Sequence, residues 1–312
     1  MPVIKKVIKK VTKIESLSLH AVMAILCLAI TFNVNAKNQD SQTSQSSQKY
    51  NTPKPTIIAL SPHVVEMLFD IGASSQIIGT TDFSDYPEQA KEITRVGNYL
   101  RIQLESVIAL KPDLIIAWKT GSPSDDISRL RQLGFNIVYS NPKQLSDISK
   151  ELRYFGQLTG HLKQANLVAD KFDSDLKVIK ETYLDKKELI GFYELWDNPL
   201  TTVSKKSWPQ QFFDICRVIN PFENVSASYP QINIEEVLKE QVEIIVQPLS
   251  INQTDKKGFN WHNWPVIPAV KHKHVIKTDA DALHRMTLRS LNALEVLCED
   301  IENVRKSLTP HL

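Results

Sequence analysis

From residue 56 onward the chain alternates short apolar runs with amphipathic stretches. TIIALSP reads as a buried strand that stops at Ser61-Pro62. In the HVVEMLFDIG segment that follows, Val64, Val65, Leu68, Phe69 and Ile71 fall on one helical face, and Gly72 ends the helix. IIGTT, the loop DFSDYP, LIIAW and FNIVYS continue the alternation. Strands this uniformly apolar, separated by helical segments, predict a mostly parallel sheet covered on both faces.

One part of the pattern occurs twice. LESVIALKPDLIIAW, Leu104 to Trp118, returns as IEEVLKEQVEIIVQP, Ile234 to Pro248, after 130 residues. In each copy a glutamate, Glu105 or Glu235, opens a short helix, and an apolar run, Leu114 to Ala117 or Ile244 to Val246, reads as a buried strand. Between the copies, Ala165, Val168, Phe172, Leu176, Ile179 and Tyr183 recur at helical spacing. They predict one helix from Leu162 to about Tyr183, whose ~22 residues span roughly 33 Å. The second half opens with ELIGFYEL and closes with a helix near Thr287 to Lys306. The expected fold is therefore α/β: two similar lobes with mostly parallel sheets, over residues 56–160 and 187–312, joined by one long rigid helix over 161–186. Two such lobes make a cleft between them, and a repeated glutamate offers a two-fold partner two matched handles.

The N-terminal segment changes the picture of charge. Lys5, Lys6, Lys9, Lys10 and Lys13 precede the apolar run Ala21 to Phe32, and Val34-Asn35-Ala36 suits cleavage after Ala36. The run is about 12 residues, short of the roughly 20 that span a bilayer, so residues 1–36 read as a cleaved signal peptide. Its removal takes five lysines and one glutamate, so the net charge of +2 becomes −2. No basic domain remains to engage nucleic acid. Residues 37–55, rich in Gln and Ser, read as a disordered leader. Cys216 and Cys298 are then the cysteines left, and an even pair in an exported chain suggests a disulfide, with two free buried thiols as the alternative.

The chemistry of most enzyme classes is missing. With nine glycines in the chain, none forms GxGxxG or a Walker-type loop, and no GxSxG, HExxH, CxxC or EF-hand pattern occurs. His272 and His274 alternate at a strand entrance and read as a solvated edge. His63, directly after the first strand, lies where open α/β sheets bind ligands, and with His284 and Asp281 it offers a metal site as an alternative to ordinary packing. Aromatic residues are the better clue. Phe83, Tyr86, Tyr99, Trp118, Trp196 and Tyr229 all sit at loops or strand ends. Planar side chains placed there suit a wide, flat, partly apolar ligand.

TIIALSPHVVEMLFDIGASSQIIGTTDFSDYP, LESVIALKPDLIIAW, YPQINIEEVL and NALEVLCEDI resemble, in order and spacing, the vitamin B12-binding periplasmic proteins that serve ATP-driven cobalamin importers. The likeness covers about residues 56–302. It implies a class III periplasmic binding protein-like fold and a monomeric, non-catalytic periplasmic protein without a cofactor. Cobalamin would be its transported ligand, passed to the permease subunits of an ABC transporter at the inner membrane. On the family pattern, ligand-binding aromatics carry over onto Phe83, Tyr99 and Tyr229, where Tyr, Trp and Trp are commoner. Trp118 matches near the cleft, and Asp281 with Arg285 matches a polar segment that touches the ligand. Trp196 joins them by position alone. The resemblance assigns Glu105 and Glu235 to transporter docking and supports a Cys216–Cys298 disulfide. The alternatives are the same scaffold holding haem or a ferric siderophore, and a metal-ion-binding protein using His63 and His284.

Overall fold

The computed structural model describes residues 54–250 and 258–308. Residues 1–36, expected as a signal peptide, and all but the last two residues of the expected leader over 37–55 lie outside the described residues. No helix among the described residues is long and apolar enough to cross a membrane.

The first lobe is built on β1 (Ile57–Ala59), α1 (Pro62–Asp70), β2 (Ile77–Thr80), α2 (Leu104–Leu110), β3 (Leu114–Trp118), α3 (Ser124–Gln132) and β4 (Ile137–Ser140). The strands form a four-stranded sheet in the order β2-β1-β3-β4. All pairings are parallel, with Ile57 opposite both Ile77 and Leu114. β1 is fully buried, which its unbroken apolar run requires of a central strand flanked by helices on both faces.

Two helices then lead out of this lobe. α4 (Leu145–Thr159) begins with a capping box between Gln144 and Asp147 and ends at Gly160, and α5 runs from Leu162 to Tyr183. The α5 residues Ala165, Ala169, Phe172, Leu176, Ile179 and Tyr183 are buried at alternating spacings of four and three. They belong to one continuous apolar core that reaches from Ile57 in the first lobe to Val304 in the second. Burying a side chain the size of Phe172 contributes about 1.5–3 kcal/mol, so the helix is held along its whole length by both lobes.

The second lobe comprises β5 (Leu189–Tyr193), the hairpin strands β6 (Trp196–Asp197) and β7 (Leu200–Thr201), α6 (Gln210–Ile215), β8 (Val218–Ile219), α7 (Ile234–Lys239), β9 (Ile244–Leu249), α8 (Pro268–Lys271), β10 (Val275–Asp279), α9 (Ala280–His284) and α10 (Leu288–Leu308). Its main sheet has the order β10-β9-β5-β8, again all parallel. Read from β8, this is the first sheet's order repeated: second, first, third, fourth strand. The repeated sequence thus occupies the same place in each lobe, as α2 with β3 and as α7 with β9. Cys216, just past α6, is joined to Cys298 in α10 by a disulfide across a sequence separation of 82.

Candidate functional site

In a sheet of this order the crevice lies beyond the carboxyl ends of the strands, where the winding reverses. There the structure has a cavity of about 460 Å³ lined from both lobes. Pro62 follows β1 and Phe83 follows β2; Trp196 follows β5, Ser250 follows β9, and Asp281 and Arg285 follow β10. Tyr99 completes the first-lobe wall.

Local structure presents the aromatics. Phe83 adopts a φ of +66°, a left-handed conformation that is costly for a bulky residue, and its ring is 60% exposed. The loop holding it is tied down from inside: the Thr80 hydroxyl donates to the Ala59 carbonyl (2.8 Å) and accepts from the Ser84 hydroxyl (2.9 Å), and Arg95 Nη2 donates to the Ser84 carbonyl (2.9 Å). Tyr99, 64% exposed, rides on a turn in which Asn98 Oδ1 accepts from the amides of Leu100 (3.0 Å) and Arg101 (3.1 Å). Gly97 opens that turn at φ +131°, and a Cβ there would lie 2.3 Å from the Arg101 carbonyl oxygen, so only glycine fits. Across the cleft Trp196, half exposed on the β6–β7 hairpin, donates through Nε1 to the Asn198 carbonyl (3.0 Å).

The polar wall is more tightly built. Asp279 caps α9 by accepting from the amides of Asp281 and Ala282, and helical spacing then sets Asp281, His284 and Arg285 along one side. Asp281 accepts from Ser250 Oγ at 2.9 Å. His284 Nε2 bonds the Tyr193 hydroxyl at 2.9 Å. Burial lowers the His284 imidazole to about 4 against the pull of Asp281, so it is neutral at ordinary pH. Arg285 Nη1 donates to Asp85 (2.5 Å) and Glu66 (3.4 Å) of the first lobe, and its Nη2 donates to Asp281 (3.4 Å). Burial would raise the Asp85 carboxyl, but the Arg285 guanidinium holds it below the usual carboxylate range.

Glu194 also lines the cavity; it is 3% exposed and accepts from the Phe259 amide (2.7 Å), Trp261 Nε1 (2.6 Å) and Gln247 Nε2 (2.8 Å). It fastens residues 259–261 against β5 and β9. Burial pushes this carboxyl up, and the three donors offset part of the cost.

Of the residues expected at the site, Phe83, Tyr99, Trp196, Asp281 and Arg285 line the cavity, whereas Trp118 and Tyr229 do not. Trp118 packs edge-on against His63 at 5.4 Å, above Gly121, where a Cβ would come within 1.8 Å of the indole. Tyr229 is half exposed, with the Trp208 backbone bonded at its hydroxyl. Glu105 and Glu235 are exposed in the first turns of α2 and α7.

His63 corrects an expectation. It does not face the cavity but is buried in α1, where its Nε2 bonds Ser140 Oγ at 2.7 Å, and Ser140 in turn donates to Glu151. His63 and His284 each have their own partner within their own lobe. Among the described residues, no group of three or more His, Cys, Asp and Glu is placed to hold a metal ion.

Burial depresses the His63 imidazole to about 3, below its ordinary 6.5. The unfolded chain therefore binds the proton more tightly. The stability that depends on the neutral ring is fully present above about pH 6.5 and is lost as pH falls toward 3. Between pH 7 and pH 5 the loss amounts to about 2 kcal/mol. Urea unfolding at the two pH values reads it directly, and His63→Gln is expected to remove that part of the slope. An equal slope in the variant would assign the acid sensitivity to other groups.

Glu66, Arg289 and Glu194 escape the sequence reading because nothing in their local patterns marks them as buried.

A family model described as periplasmic binding protein matches residues 57–282. The vitamin B12-binding protein of Vibrio campbellii is 36% identical over 256 residues, covering 82% of this chain and 92% of that protein. That of Yersinia pestis is 29% identical over 80% of this chain and 86% of its own length. The crystal structure of the periplasmic vitamin B12 binding protein of Vibrio cholerae superposes with a TM-score of 0.74 at 33% identity, covering 81% of this chain and 99% of that one. The periplasmic haem-binding protein of Vibrio cholerae shares the fold, with a TM-score of 0.67 at 17% identity over 82% of this chain and 99% of its own. With its paired parallel sheets, its long α5 and a family match over most of its length, the chain belongs to the periplasmic binding proteins.

Proposed function

We propose that this protein captures cobalamin in the periplasm, in the cleft between its lobes, and presents it to the permease of an ABC importer. The observation that carries the reading is the cleft itself: exposed aromatic residues, Phe83 and Tyr99 from the first lobe and Trp196 from the second, line one cavity whose other lining mixes apolar residues with the polar Asp281, His284 and Arg285. Flat rings bring large contact area at low entropic cost, which suits a broad planar macrocycle with polar edges. The B12-binding relatives at 36% identity support the same ligand class.

In this reading the protein performs no chemistry on its ligand. Asp281 and Arg285 hydrogen-bond the polar substituents of the macrocycle, and Trp118 and Tyr229 contribute only when the ligand extends past the cavity described above. Neutral His284 adds a hydrogen-bonding edge without a charge. Because α5 is packed into the cores of both lobes, wide hinge closure is disfavoured, and affinity comes from a largely preformed pocket. The periplasmic location is supported by the family, and the reading includes cleavage of residues 1–36 as a signal peptide. Glu105 and Glu235, exposed on equivalent helices, are the docking handles for a two-fold permease.

Calorimetric titration of residues 37–312 with cyanocobalamin, haem and a ferric siderophore tests the ligand. One-to-one binding of cobalamin alone is the expected result, and binding of haem or siderophore in its place would overturn it. Within the cleft, Tyr99→Ala is expected to weaken cobalamin binding by about tenfold, which corresponds to roughly 1.4 kcal/mol of lost ring contact. The fold should be untouched, because Tyr99 is largely exposed to solvent.

A further inference from the structure

Glu66 stands out among the charged groups near the cleft. It lies in α1 of the first lobe, its carboxylate is 2% exposed, and it is hydrogen-bonded and ion-paired to Arg285, Thr287 and Arg289 of the second lobe. Arg289 grips it with Nε on Oε2 (2.9 Å) and Nη2 on Oε1 (2.6 Å). The Thr287 hydroxyl donates to Oε2 (2.9 Å), and Arg285 Nη1 approaches Oε1 at 3.4 Å. The backbone is bent to allow this. Met286, between Arg285 and Thr287, takes a φ of +55°, a left-handed conformation that is costly for a residue with a side chain. That turn brings Arg285, Thr287 and Arg289 to one carboxylate. Arg289 also lies over the Tyr86 ring, 4.0 Å from its centroid, so a second first-lobe group holds it in place.

Arg285 connects this contact to the ligand cavity. It is the guanidinium that both lines the cavity and touches Glu66. Its remaining bonds divide between Asp85 of the first lobe and Asp281 of the second. If Glu66 loses its charge, Arg289 loses its fork and Arg285 is left to the two aspartates. The direction of Arg285 and the spacing of the walls then depend on fewer contacts.

We propose that Glu66 is a positioning residue of the cleft: from the first lobe it holds Arg285 and Arg289 of the second, and so fixes the lobe separation and the guanidinium direction that the ligand meets. A merely structural ion pair would contribute to stability without acting through Arg285. The ligand used as probe rests on the cobalamin reading above; the geometry does not.

The test compares wild type with Glu66→Gln in two measurements. In the first, cyanocobalamin is titrated and its release followed. Glu66→Gln is expected to raise Kd about tenfold, mainly through faster release, and in an Arg285→Gln background to add less than about twofold. An unchanged Kd, or a full tenfold loss that persists without Arg285, would overturn the proposal. In the second, the distance between labels carried by unnatural amino acids at Ser128 and Lys239, exposed positions on the two lobes, is measured without ligand. The distribution should broaden or shift in Glu66→Gln; one identical to wild type counts against the proposal. Should Glu66→Gln fail to fold, Arg289→Gln replaces it, since Arg289 grips Glu66 and does not line the cavity. The same changes are expected there, and their absence overturns the inference. If wild type binds no cobalamin, the ligand assignment falls while the distance measurement alone decides the role of Glu66.

Discussion

Reduction of the Cys216–Cys298 bond, or its replacement by Cys216→Ala with Cys298→Ala, is expected to cost about 2–5 kcal/mol of folding stability. The bond closes a long loop, with a sequence separation of 82, and the chain-entropy argument assigns its main effect to the unfolded ensemble it restricts. Both cysteines are fully buried. The ends they join are also held by Arg305, whose Nη2 donates to the Cys216 carbonyl (2.9 Å) and whose Nε donates to the Lys187 carbonyl (2.6 Å). Native geometry therefore survives loss of the bond, and the change appears as a lower Tm, by roughly 5–15 °C for a folded region of this size. Thermal unfolding with and without reductant measures it. A Tm that does not move would mean that Arg305 and the core hold α10 unaided.

The double variant Glu105→Ala with Glu235→Ala is expected to cut cobalamin uptake by about tenfold or more while leaving cobalamin affinity unchanged. Neither carboxylate lines the cavity. Each stands exposed in the first turn of its helix, where the positive end of the helix dipole favours it by about 0.3–1 kcal/mol, too little for its loss to unfold the chain. Because α2 with β3 and α7 with β9 hold equivalent places in the two lobes, the single variants should reduce uptake to similar extents. Exposed charges act mainly on encounter and orientation, so the wild-type advantage should shrink as ionic strength rises. Uptake in cells, paired with calorimetry on the purified variants, separates docking from binding. Undiminished uptake by the double variant would remove the handle assignment.

These two predictions differ in how early they were visible. The glutamate pair stands in the sequence as a repeat, and α5 begins and ends where the spacing of Ala165, Phe172, Leu176, Ile179 and Tyr183 places it. That Phe83, Tyr99 and Trp196 line a cavity was legible because an aromatic residue outside a periodic face has no core to fill. Tyr229 and Trp118 satisfy the same description, yet the first is turned toward the Trp208 backbone and the second packs on His63. His63 follows a strand that ends at the cleft, but on α1 its ring is directed to Ser140. A residue's place in the chain gave its neighbourhood and not its direction.

The sequence by itself determined β1 to β4, the helices α1, α2, α5, α7 and α10, their alternation with strands and the duplication, because these follow from periodicity over a few residues and from local stop signals such as Gly72. It also limited the chemistry, since motifs for phosphate or nucleophile handling are local patterns too. Only the tertiary structure decided which polar groups became buried and paired. Glu66 falls outside the apolar positions assigned to the face of α1, and it is enclosed because Arg289, 223 residues further along, docks on it. Glu194 is likewise joined to Trp261 across 67 residues. Such contacts depend on how two separately patterned lobes come together, and the energy of a buried charge is set by the partners that the assembled fold supplies.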